Sequence, residues 1–138
     1  MSDGASTMSQ PRLLVMLFDR LVLDVQQAGD ALRSKNLELA NDKLCHAQAI
    51  LLELHAALDQ KAWGGADRLG QVYLWINNEL MRANVSKEAK PVDDCLRMLR
   101  ELQGAWQGAY DTVMTEQAAA ASAATAGKAR FERTDTAG

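Results

Sequence analysis

Residues 12–25, RLLVMLFDRLVLDV, hold ten apolar side chains in the thirteen positions from Leu13 onward, interrupted only by Asp19, Arg20 and Asp24. At about 100° per residue, Leu14, Leu17, Phe18, Leu21 and Val25 gather on one side of a helix, while Met16 and Leu23 fall on roughly the opposite side. One apolar side suffices to dock a helix onto a core. The second is a surplus that the rest of the sequence has to account for.

Working outward, the principal stripe continues through Ala28 and Leu32, so a first helix is predicted over residues 10–34. Ser9 and Pro11 form its start signal, because a Ser oxygen accepts an early amide N–H and Pro in the first turn gives up no helical bond. Asn36 caps a second helix with the stripe Leu37, Ala40, Leu44, Ala47, Leu51, Leu54 and Leu58, ending near Asp59 or Gln60. WGGAD, residues 63–67, breaks the chain with two glycines. A third stripe, Leu69, Val72, Tyr73, Ile76, Leu80 and Ala83, stops around Asn84, and NVSKEAKP (84–91) supplies the turn. Pro91 opens a fourth helix bearing Val92, Cys95, Leu96, Leu99, Leu102, Trp106, Tyr110 and Val113. Gly104 and Gly108 lie on its other side, where they signal either close approach or flexibility.

Four such segments with short connections predict an all-α fold, an antiparallel up-down four-helix bundle over residues 10–117. A flexible segment, residues 1–9, precedes it. After Met114 small residues replace the apolar stripe; the alanines can extend the helix for a turn or two but anchor no core, so residues 118–138 read as a mobile, disordered Ala-rich tail.

The 138 residues are 48% hydrophobic and 24% charged, with a net charge of −3, which suits one compact soluble domain. Basic residues are scattered among acidic ones, giving no footprint for nucleic acid or an anionic membrane. The longest apolar run, Leu13 to Phe18, is far short of the roughly 20 residues that span a bilayer, and no secretion signal is evident, so the expected location is the cytoplasm. Cys45 and Cys95 are isolated and read as buried free thiols.

The chemistry of catalysis is not written in this chain. No Glu is followed by His three residues later, and His46 and His55 lie nine apart on opposite sides of one helix, so no metal or other cofactor is expected. Phosphate loops, dinucleotide fingerprints and nucleophile elbows are likewise missing from the sequence, and the expectation is a protein without enzymatic activity. What remains is the surplus. Ile50 and Leu52 on the second helix, and Leu74, Trp75 and Met81 on the third, add to Met16 and Leu23 beyond the about three positions in seven that a bundle helix buries. Either the core is wide, or helices one to three leave an apolar groove that receives a helix from elsewhere.

The residues also resemble a known family. MSQPRLLVMLFDRLV (8–22), ANDKLCHAQAILLELHAALD (40–59), GGADRLGQVYLWINNELMRANV (64–85) and LRMLRELQGAWQGA (96–109) are similar, in order and with matching loop lengths, to the conserved blocks of the flagellar secretion chaperones, the FliS family. The resemblance implies a small cytoplasmic four-helix bundle that binds newly made flagellin through its C-terminal segment. Such binding keeps flagellin from polymerising before export through the flagellar type III apparatus. It leaves room for further partners at the export gate or among flagellar regulators. Asp19, Asn41, Gln48, Asp59 and Asn84 match the family pattern, although Asp59 and Asn84 also serve as helix terminators. Phe18 stands where the family usually has Tyr, and Arg20 replaces a small Gly. The family's Tyr-bearing segment that folds over the groove has no counterpart in MSDGASTMS, and Phe131 in the tail is the alternative cap.

The candidate flagellin-binding residues are Leu13, Met16, Leu17, Arg20 and Leu23 on helix one, Ile50 and Leu54 on helix two, and Tyr73, Asn77, Leu80 and Asn84 on helix three. Leu54, Tyr73 and Leu80 fit core packing equally well. The alternative function is a helix-binding adaptor or regulator, or a weakly self-associating homodimeric bundle that buries its own surplus.

Overall fold

The computed structural model describes residues 10–58 and 65–137, with the side chains of 10, 11, 113 and 128–137 left aside. Four helices follow one another: α1 (Gln10–Arg33), α2 (Leu37–Ala57), α3 (Ala66–Ser86) and α4 (Lys90–Ala137). Each of α1 and α3 packs against both α2 and α4, while the diagonal pairs make no backbone contact among the described residues, which is the square section of a four-helix bundle. Cross-links fix the antiparallel directions. The C-terminal Arg33 of α1 meets Asp93 at the start of α4, and Asn84 near the end of α3 meets Asn41 near the start of α2.

The connections explain why the helices end where they do. Lys35 takes a left-handed conformation (φ 62°), which lets Asn36 N–H donate to the Ala31 carbonyl at 2.8 Å and Lys35 N–H to that of Leu32 at 3.2 Å. These two bonds reverse the chain, as a Schellman turn does, with Lys in the place of the usual Gly. Asn36 then caps α2, its side chain accepting from Leu39 N–H at 3.3 Å, as its position in the sequence predicts. At the other hairpin Lys87 (φ 59°) closes α3 by donating to the Ala83 carbonyl, so α3 runs through Ser86, into the stretch expected to be turn. Gly29 faces α4 at close range. A Cβ there would stand 3.2 Å from Asp93 Oδ1 and 3.3 Å from Arg33 Nη2.

The core is one continuous cluster. Leu21, Val25, Ala28 and Leu32 of α1, Ala40, Leu44, Ala47 and Leu51 of α2, Ile76, Leu80 and Ala83 of α3, and Val92, Cys95 and Leu99 of α4 are buried within it. At one end Phe18 stacks at a tilt against Tyr73 and Trp106, with ring centroids 6.2 and 6.3 Å apart. Burial raises the Tyr73 pKa, and a hydrogen bond with the Trp106 indole offsets part of that rise. Leu37, expected in the α2 stripe, instead lies exposed in its first turn.

The fourth helix departs from expectation. At 48 residues, and so about 72 Å, it is twice the length of its neighbours, and it continues as helix through the segment read as an unstructured tail. Alanine has the highest helix propensity and needs no core to keep the backbone bonded, which the sequence reading undervalued. The tail adds nothing to the core, for residues 115–127 are all exposed. Residues 1–9, Asp59 and the side chain of Phe131 lie outside the described part of the structure.

Candidate functional site

Nine large apolar side chains are exposed among the described residues, and all lie on α1, α2 and α3. They are Met16 and Leu23, then Leu37, Leu39 and Leu52, then Leu74, Trp75, Met81 and Val85. The outward face of α4 is charged instead, with Arg97, Arg100 and Glu101 exposed. The exposed large apolar residues are therefore confined to three of the four helices.

Periodicity produces this face. On α2 Cys45, Ala49, Leu52 and Ala56 are all exposed and follow one another at four, three and four residues. On α3 Leu74, Asn78, Met81 and Val85 repeat the same spacing and are also exposed. Each is a second stripe, rotated away from the core stripe of the same helix. A shallow concavity of about 600 Å³ runs beside Asn78, Met81, Arg82, Val85 and Ser86. A smaller one of about 260 Å³, between α3 and α4, is walled by Leu69, Leu102 and Trp106.

The structure sorts the sequence candidates. Met16 and Leu23 are 48% and 40% exposed, Leu13 is partly exposed, and Leu17 is half-buried against the core. Ile50, Leu54, Tyr73 and Leu80 are buried members of the core, which for Leu54, Tyr73 and Leu80 is the core packing that the sequence left open. Leu54, Tyr73 and Leu80 lie on the core stripes themselves, and Ile50, beside Leu51, is drawn in because the interior admits a wider arc of α2 than its narrow stripe. Asn77 is also buried, at 8% exposure. The residues that the candidate set omitted are Leu52, Leu74, Trp75, Met81 and Val85. Their signal was the second stripe at helical spacing.

Arg20 belongs to a polar cluster that the sequence did not disclose. Asp24 is completely buried at the α1/α2 seam, where His46 Nδ1 contacts its Oδ2 and Arg20 Nε lies 3.1 Å from its Oδ1. The Arg20 contact is an ion pair off hydrogen-bonding alignment, so Oδ1 has no hydrogen bond among the described residues. A buried carboxylate needs such company, because its charge loses water on entering the core. Arg20 and His46 remain about half exposed, closing the seam with their stems while their polar ends stay near solvent.

Three of the family-pattern residues, Asp19, Asn41 and Asn84, are joints between helices. Asn84 Nδ2 donates to Asn41 Oδ1 at 2.8 Å, and Lys87 Nζ donates to Asn84 Oδ1 at 2.7 Å, tying α3 to α2. Gln103 Nε2 donates to Asp19 Oδ1 at 2.9 Å, tying α4 to α1. Gln48 is half-buried on α2.

Other chemistry finds no foothold among the described residues. No group of three or more His, Cys, Asp or Glu is placed to hold a metal ion, and no helix is long and apolar enough to cross a membrane. Cys95 is buried, and that burial, followed by the charges of Glu79 and Asp94, pushes its thiol up to about 12, so it is inert. Cys45, expected to be buried, is exposed.

Comparison with known proteins gives this geometry a context. Residues 1–113 match the family model described as flagellar protein FliS. Over 102 residues the chain is 26% identical to the flagellar secretion chaperone FliS of Vibrio cholerae serotype O1, covering 73% of this chain and 75% of that protein. Over 110 residues it is 22% identical to the flagellar secretion chaperone FliS of Bacillus subtilis (strain 168), covering 80% and 82%. A bundle of this design, matched across most of its length, belongs to the FliS family of flagellar secretion chaperones.

Proposed function

We propose that this chain holds the C-terminal segment of flagellin as a helix along the apolar side formed by α1, α2 and α3, and that it acts in the cytoplasm before export. The observation that carries this reading is the restriction of the exposed large apolar residues to α1, α2 and α3. A monomeric soluble protein leaves little reason for two parallel apolar stripes on adjacent helices unless something covers them. An amphipathic helix is the shape that fits, laying one apolar residue per turn into such a surface.

No bond is made or broken in this function. A segment that is apolar and unfolded in isolation gains helix and burial together when it meets the stripes, and the ordering it undergoes costs a few kcal/mol or more. Each half-exposed side chain here returns about 1 kcal/mol when covered, since full burial of such a residue is worth roughly 1.5–3 kcal/mol. Many contacts are therefore needed, and a long client segment follows. While held, the segment cannot pair with other flagellin copies, and the client stays competent for the type III apparatus. The charged outer face of α4 stays uncovered in this arrangement, open to a second flagellar protein at the export gate or in regulation.

The test is a seeded polymerisation of purified flagellin followed by light scattering. An equimolar amount of this chain is expected to suppress filament growth, and Met81→Asp to restore it. Unchanged growth in an excess of the folded wild-type chain, or a chain that already occupies its apolar face as a homodimer, overturns the proposal.

A further inference from the structure

The joint between Asn41 and Asn84 marks where α2 meets α3, and the exposed apolar stripes of the two helices lie on either side of it. On α2 Cys45 follows Asn41 by four residues and Leu52 follows Cys45 by seven, so both return to the side that carries the joint. On α3 Met81 precedes Asn84 by three residues and Leu74 precedes Met81 by seven, with the same result. The stripes therefore border one groove over the α2/α3 seam.

The two edges of this groove differ in charge. One step further round α2 from its apolar stripe, Glu38, Asp42, Ala49 and Glu53 follow one another at four, seven and four residues, and all are exposed. None of the three carboxylates forms an ion pair among the described residues. The cations of α2 lie on its other flank, where His46 meets Asp24 and Lys43 lines a concavity with residues of α1. The outer edge of α3 is mixed. It carries Arg68 and Arg82, with Arg82 paired to Glu79 at 2.8 Å and Asp67 in the first turn. Lys87, at the foot of the groove, donates to Asn84. Only the α2 edge is of one sign along its length.

Helix stability accounts for one of these acids. Glu38 stands in the first turn of α2, where a negative charge is favoured by the helix dipole. Asp42 and Glu53 lie beyond that turn and have no partner, and what they share is the apolar groove beside them. Eleven residues separate them, about 16 Å along the axis, and they point within about 20° of one another. A helix laid along the groove in either direction meets both with two Lys or Arg residues at the same interval. Charges at the rim of an apolar contact fix orientation and the rate of encounter more than they fix affinity.

We propose that the α2/α3 groove takes its helical client in one rotational setting, with Lys or Arg residues eleven apart along the acidic edge formed by Asp42 and Glu53. This proposal rests on the flagellin reading and deepens it. The apolar stripes hold the segment, and the acidic edge selects which side of it faces α2.

The experiment measures equilibrium binding and association rate for a peptide of the C-terminal ~40 residues of flagellin from the same organism. The proteins are the wild type, Asp42→Lys, Glu53→Lys, the double variant, and Glu101→Lys on the outer face of α4 as a control of net charge. Peptides in which each Lys or Arg is replaced singly by Glu are run beside the parent. At low salt each single reversal in the protein is expected to weaken parent binding about threefold and the double about tenfold, mostly through slower association. The differences vanish in about 1 M salt, where the screening length is ~3 Å. Two peptide replacements eleven residues apart are expected to weaken wild-type binding and to strengthen binding to the double variant, which a merely structural role of Asp42 and Glu53 does not produce. Asp42→Asn and Glu53→Gln serve if a Lys variant does not fold. A folded double variant that binds like the wild type at low salt, a Glu101→Lys effect as large as that of the double, or peptide replacements that cost the same in wild type and double variant overturns the proposal and leaves the flagellin reading intact. Failure of the folded wild type to bind the parent peptide overturns both.

Discussion

Leu80 and Met81 are adjacent in sequence and opposite in environment, so replacing each by Asp separates core from docking surface. Leu80 is completely buried and Met81 is 48% exposed. Removing the Leu80 side chain alone costs roughly 2–5 kcal/mol in lost transfer and cavity terms. A carboxylate with no partner adds several more, on the order of 5–10 kcal/mol in all, against a total stability of about 5–15 kcal/mol. Leu80→Asp is therefore expected to unfold the bundle or leave it without cooperative melting. At Met81 the carboxylate stays in water, and stability changes by no more than about 1 kcal/mol, a shift of a few degrees in Tm. Binding is another matter. Covering the remaining half of Met81 is worth about 1 kcal/mol, and a charge placed under the client costs about 2 more, so the affinity for flagellin falls on the order of a hundredfold. Circular dichroism melts and calorimetric titration read the two effects separately. A Met81→Asp variant that melts like Leu80→Asp shows Met81 to be core. One that folds and binds like the wild type shows that the α3 stripe is not where the client lies.

The same contrast is expected on α1, where Met16→Asp and Leu23→Asp weaken client binding with little change in melting, while Leu21→Asp unfolds the chain. Gly104→Ala and Gly108→Ala are each expected to stabilise by about 1 kcal/mol, raising Tm by a few degrees without altering client affinity. A Cβ at either position meets nothing within 4 Å, so a fall in Tm contradicts the exposed placement of these residues. Cys95 gives a pH signature. Its pKa lies above the unfolded value of 9.0, so its contribution to stability is complete below pH 9 and is lost as pH climbs toward about 12. Denaturation at pH 8 and pH 10.5 is expected to show a larger loss for the wild type than for Cys95→Ala, and equal losses refute the burial. In the native state a thiol reagent is expected to titrate Cys45 and leave Cys95 untouched.

Much of this fold was legible because helical periodicity is local. Leu21, Val25, Ala28 and Leu32, or Ala40, Leu44, Ala47, Leu51 and Leu54, declare their buried side through spacing alone, and Asn36 and Pro91 mark helix starts by their own chemistry. The second stripe was legible by the same rule, through Met16 and Leu23 and on to Leu52, Leu74 and Met81, whereas Val85 fell in the stretch read as turn. What spacing cannot say is how wide an arc of each helix the bundle swallows. Ile50 lies close enough to its stripe to be buried, and only packing against neighbouring helices decides that. Nor does a local rule find Asp24, which reads as a surface break in an apolar run, because its partner His46 lies on another helix. In the tail it was the extent of the helix that composition did not give. Its composition says that it builds no core, while alanine alone suffices to keep the backbone helical.

The central claim, that α1, α2 and α3 present an apolar surface built to hold the folded C-terminal helix of flagellin, is tested most directly by calorimetry. The purified chain is titrated with a flagellin peptide of ~40 C-terminal residues at several temperatures. The account predicts one-to-one binding with a strongly negative heat-capacity change, the mark of apolar burial coupled to folding of the client. A chain shown to be folded that takes up no peptide, or that binds it with no change in heat capacity, contradicts it.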